Sequence, residues 1–69
     1  MVDNSMATKD LILSIATEMN KTPEQMQKFI SALEENMVDT VQDLRDLTDD
    51  DFKQMSFPIA LVNRIKKRL

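Results

Sequence analysis

An all-α fold of five helices is predicted by two features of the chain. Apolar residues recur at three- and four-residue intervals, and hydroxyl-bearing residues stand just ahead of those repeats, where helix caps belong. A third observation removes the competitor: no segment alternates apolar with polar residues as a half-buried strand would. With 69 residues there is room for one domain and one small core. A chain of this size buries only about 60 % of the surface it exposes when unfolded.

Thr8 is placed to cap a first helix running to about Met19, with Leu11, Ile12, Ile15 and Met19 on one face. Asn20 supplies a left-handed stop. Thr22-Pro23-Glu24-Gln25 then gives the clearest start signal, with a hydroxyl at the N-cap, proline at the first helical position and Gln25 where a capping box needs it. Met26, Phe29, Ile30, Leu33 and Met37 follow as an apolar stripe, so this second helix is expected to organise the core and to end near Asn36. Thr40 and Asp43 form a looser capping pair for a short third helix carrying Val41 and Leu44. Thr48 opens a fourth, with Asp49, Asp50 and Asp51 opposing the helix dipole in its first turn and with Leu47 and Phe52 at the two positions of a hydrophobic staple. Ser56-Phe57-Pro58 is the last break, since proline disfavours helical backbone at the residue before it. A final, long helix is expected from about Pro58 to Leu69, burying Leu61, Val62, Ile65 and Leu69. Residues 1–7 read as a flexible leader and 8–69 as the domain.

Composition excludes whole classes of chemistry. The chain has no Cys and no His, which removes disulfides, thiol chemistry, the commonest zinc ligand and the usual general base. It has no Gly, so no phosphate-binding loop or dinucleotide fingerprint is present. The expectation is therefore a non-enzymatic domain with no cofactor, no metal and no small-molecule ligand. The longest apolar runs are a few residues, too short for a membrane span or a signal-peptide core. An intracellular, cytoplasmic domain is expected.

In this order, with two very short helices, the five helices resemble a sterile alpha motif (SAM) domain, chiefly over residues 36–69. Asn36-Met37-Val38-Asp39 is similar to the element that ends that family's second helix. Asp43-Leu44-Arg45-Asp46-Leu47-Thr48-Asp49-Asp50-Asp51-Phe52 is similar to its "LL-x-L-T-x-E-D-L" segment, and Met55 to Ala60 followed by Arg64-Ile65 to its passage into the last helix. Ser56 and Ala60 stand where the family usually has glycine, and the first helix lacks the family's common tryptophan.

The charges are segregated along the chain. Glu34, Glu35, Asp39, Asp43, Asp46 and Asp49 to Asp51 fill the middle, while Arg64, Lys66, Lys67 and Arg68 crowd the end. Helix-dipole compensation and solvation account for part of both clusters. The acidic spacing does not fit a calcium loop, which needs alternate-position ligands and a central glycine. What the SAM resemblance implies is a protein interaction module, homotypic or heterotypic. Its acidic, mid-loop-like surface would be Asp39, Asp43, Asp46 and Asp50. Its basic, end-helix-like surface would be Ile59, Ala60, Asn63, Arg64 and Lys67. The partner would be another SAM-like domain or a second copy, and the two surfaces are expected on separate, non-adjoining regions. An RNA-hairpin-binding SAM-like domain is the alternative. It is opposed by the net charge of -3 and by the absence of Tyr and Trp for base stacking. A helix-hairpin-helix DNA binder would need a glycine-bearing hairpin.

Overall fold

Three threonines start three of the five helices by the same device. Thr22, Thr40 and Thr48 each accept a hydrogen bond from the backbone N–H three residues on, and the side chain of that third residue accepts one from the threonine's own backbone N–H. These reciprocal capping boxes satisfy amides that the first helical turn leaves free. They begin α2 (Pro23–Glu35), α3 (Val41–Arg45) and α4 (Asp49–Gln54), which join α1 (Thr8–Glu18) and α5 (Ile59–Arg68) in an all-α architecture. The structure is a computed structural model and describes residues 3–69. No strand occurs among them, only an isolated antiparallel bridge between Ala7 and Thr40. At ten residues, α5 is shorter than α1 and α2, so the last helix is only roughly the long element expected.

Three helices stop without glycine. Asn20, Met37 and Ser56 have φ of 56°, 60° and 61°, the left-handed conformation that usually falls to glycine one residue past a helix cap. After each, the next amide turns back to the carbonyl five residues earlier: Lys21 to Ala16 at 2.8 Å, Val38 to Leu33 at 2.8 Å and Phe57 to Phe52 at 3.1 Å. These are Schellman closures. Val38 and Phe57 are themselves buried, as are Leu33 and Phe52, so two of the turns deliver an apolar side chain directly into the core. Asn20 is the stop its sequence suggested. For α2 the left-handed residue is Met37 and not Asn36, whose side-chain amide instead donates to the Ala32 carbonyl at 2.8 Å. Met37 therefore leaves the apolar stripe assigned to it and stands 80 % exposed.

The core gathers around α1, which packs against α2, α3 and α5. Leu11, Ile12, Ile15 and Ala16 are fully or almost fully buried, and they meet Leu33, Val41, Leu44, Leu61 and Ile65 from the surrounding elements. The organising role expected of α2 thus belongs to the shorter α1. Phe57 joins the remaining parts: its ring lies 5.1 Å from Phe29 in an edge-on arrangement and 5.6 Å from Phe52. Such aromatic pairs add modestly to their area burial.

Thr8 does not cap α1. The N-cap is Ala7, with no side-chain bond, and Thr8 is a buried first-turn residue. Its hydroxyl donates to the Val38 carbonyl at 2.9 Å, and its amide to the Asp39 carbonyl at 3.0 Å. Both bonds pin the start of α1 to the turn between α2 and α3. The neighbouring stretch continues this seam: the amides of Val41 and Gln42 donate to the carbonyls of Met6 and Asn4 at 2.8 and 3.0 Å. Met6 packs on the core. Asn4 and Met6 of the expected leader are thus hydrogen-bonded to the first residues of α3; Met1 and Val2 lie outside the described residues.

Thr8→Val keeps the shape of the side chain and removes the buried donor, so it should destabilise the fold by about 1–3 kcal/mol. Urea unfolding will show it as a lower midpoint with an unchanged slope. Met37→Gly should leave stability unchanged or raise it by up to ~1 kcal/mol, because relief of the left-handed backbone is offset by the greater freedom of an unfolded glycine. The same denaturation series measures both.

Candidate functional site

Along α5, Ile59, Asn63 and Lys67 are spaced four apart and share one exposed face, opposite the buried Leu61 and Ile65. Ile59 is 79 % exposed, and among the described residues it and Met37 are the two large hydrophobic residues that stand this far out of the fold. Lys67 makes no ion pair among the described residues.

Arg64 is less free. Its guanidinium Nη1 donates to Glu18 Oε1 at 2.7 Å, and Arg68 Nη2 donates to Glu18 Oε2 at the same distance. Glu18 thus clamps the end of α1 to α5. The hydrogen bond from Arg68 is the main cause holding the Glu18 carboxyl below its ordinary range; desolvation opposes it, and the charges of Arg68 and Arg64 assist it. Lys66 pairs with Asp49 at the start of α4. This pair joins the flanks of the two charge clusters across α4 and α5, and neither of its residues belongs to the surfaces expected to lie apart.

The four carboxylates predicted as an acidic surface divide in two. Asp43 is half-buried and works inside the fold, its Oδ2 accepting from the amides of Thr40 and Asp39 at 3.3 Å each. Asp50 Oδ2 accepts from Gln54 Nε2 at 3.1 Å and is otherwise open to solvent. Asp39 and Asp46 are exposed, and none of the four forms an ion pair among the described residues. Arg45, beside Asp46, reaches away from them, donating to Asn4 Oδ1 at 2.7 Å and to the Leu69 carbonyl at 2.8 Å.

Two grooves flank α4. One, of about 450 Å³, lies between the end of α2 and α4, with Val38, Leu47 and Met55 on its floor and Glu35 and Asp51 beside them. The other, of about 200 Å³, lies between α4 and α5, lined by Phe52, Phe57, Val62 and Ile59 with Lys53, Lys66, Asp49 and Asn63 around it. Ile59 faces this second groove, whereas Ala60 borders a different depression beside Met26 and Phe29. The grooves escaped sequence reasoning because they arise where Leu47, Phe52 and Phe57, each assigned simply to packing, leave space between helices.

No group of three or more Asp, Glu, His or Cys that could hold a metal is present among the described residues. No described helix is long and apolar enough to cross a membrane. No protein-family model, curated protein or solved structure matches this chain.

The Glu18 clamp gives stability a pH dependence of definite sign. A carboxyl whose folded pKa is depressed stabilises the fold above its unfolded pKa, near 4.5, and loses that contribution as pH falls through the lower folded value. Thermal unfolding between pH 5 and pH 2 should therefore show a smaller acid-induced fall in Tm for Glu18→Gln than for the unaltered chain.

Proposed function

We propose that the chain is a SAM-like protein interaction module. It docks an acidic surface around Asp39, Asp43, Asp46 and Asp50 on a basic surface formed by Ile59, Ala60, Asn63, Arg64 and Lys67 of another copy or of another SAM-like domain. The observation that carries this reading is the exposed α5 face, where Ile59 offers apolar area at one end and Lys67 a charge about 12 Å further along it, while among the described residues Lys67, Asp39 and Asp46 form no ion pair. An exposed apolar side chain and an uncompensated charge on one face suit an interface: burial supplies affinity, and charge sets orientation and encounter rate.

Within these surfaces the free and the committed residues have different roles. Asp39 and Lys67 are available to a partner. Asp43 is already spent on the α3 cap and Arg64 on Glu18, so they border the contact and hold its shape. A surface of one kind meeting a surface of another is heterologous, so self-association would build open chains and not closed dimers. The same ion pairs disfavour RNA, since Arg64, Arg68 and Lys66 are each engaged by a carboxylate and little of the basic helix is left to neutralise phosphates.

Sedimentation over a concentration series tests the reading. Asp39→Lys and Lys67→Glu, made separately, should each weaken association about tenfold, equivalent to ~1.4 kcal/mol. Raising the salt should weaken association of the unaltered chain as well. Association indifferent to both reversals and to salt contradicts the proposal.

A further inference from the structure

Met37 combines two unfavourable choices at one position. Its backbone is left-handed at φ 60°, a conformation that suits glycine and disfavours a residue with a long side chain, and its side chain is 80 % exposed. Glycine there would relieve the first and remove the second. A left-handed residue with an exposed apolar side chain is a candidate for a role outside the monomer. It projects from the turn that also carries Asp39, beside the last acidic residues of α2, Glu34 and Glu35.

The α4–α5 groove is the complement. Its volume of about 200 Å³ is below that of a small-molecule pocket and suits one long side chain. Phe52 and Phe57 give it an aromatic floor, and a thioether makes favourable contacts with aromatic rings. Lys53 stands at its edge without an ion pair among the described residues, and Lys66 shares its charge with Asp49. A flexible apolar side chain followed two residues later by a carboxylate matches a small aromatic groove edged by lysine. Both halves lie on the same chain, and Met37 is not among the residues lining this groove.

We infer that the partner is a second copy of this chain, with Met37 of one copy seated in the Phe52–Phe57–Val62 groove of the next and Asp39 turned toward Lys53. This rests on the acidic-to-basic docking proposed above and supplies its apolar anchor. Truncating a buried anchor of this kind removes much of an interface's affinity, while its charged border sets orientation.

Two variants separate the anchor from the rest. Met37→Gly removes the side chain and leaves the groove; Ile59→Asp places a carboxylate at the groove and leaves Met37. Both positions are exposed, so each variant should fold, with Tm checked by circular dichroism. Sedimentation should show each variant alone associating at least tenfold more weakly than the unaltered chain. An equal mixture of the two should form a one-to-one dimer that does not grow, because a single Met37-to-groove contact survives. A Met37→Gly chain that associates as well as the unaltered one, or a mixture that stays monomeric, overturns the anchor. If association persists in Met37→Gly yet still falls with Asp39→Lys and Lys67→Glu, the anchor alone is wrong. If the unaltered chain is monomeric throughout, both the anchor and homotypic docking are wrong.

Discussion

A chain with no glycine must still turn sharply between helices, and it does so at Asn20, Met37 and Ser56, three left-handed residues that carry side chains. Three of the four connections between helices are made through these turns. Each closes its helix by returning the next amide to a carbonyl one turn back, and each sets the direction of the helix that follows. Without the turn at Ser56, Phe57 would not reach Phe29 and Phe52, and α5 would not lie on α1. Without the turn at Met37, the Val38 and Asp39 carbonyls would not meet Thr8. Local backbone strain at three positions is offset by the burial it makes possible, chiefly of Val38 and Phe57.

The second tier of order is polar and ties distant parts together. Thr8 holds α1 to the α2–α3 turn, Arg45 joins the N-terminal stretch to the far end of α5, and Glu18 bridges Arg64 and Arg68. These contacts decide which charges remain for a partner. Lys67 and Asp39 are left over because no ion pair reaches them among the described residues, whereas Arg64 and Asp43 were recruited into the fold. The residues best suited to docking are therefore those the fold does not use.

The capped starts were legible in the residues. Thr22 with Gln25, Thr40 with Asp43, and Thr48 with its following aspartates all mark helices where the structure has them, because capping is a local interaction set by spacing alone. The apolar stripes of α1 and α5 were equally clear. What escaped depends on tertiary contacts. Thr8 reads as a cap from its neighbours, yet its hydroxyl goes to Val38, thirty positions away. Met37 continues the period of α2 and leaves the core because the helix ends at Glu35, two residues before it. Asn4 and Met6 carry no periodic signal, and they are ordered by backbone bonds to α3. The Lys66–Asp49 pair, which joins the charged regions, required knowing how α5 crosses α4.

A dilution series followed by amide chemical shifts in nuclear magnetic resonance tests the account most directly, since it locates the contact without altering the chain. Concentration-dependent shifts should gather at residues 37–39 and, together, at Lys53, Ile59, Asn63 and Lys67, while Glu18 and the outer face of α1 stay constant. Shifts confined to one of the two surfaces, centred on α1, or absent at concentrations where sedimentation detects association would contradict it.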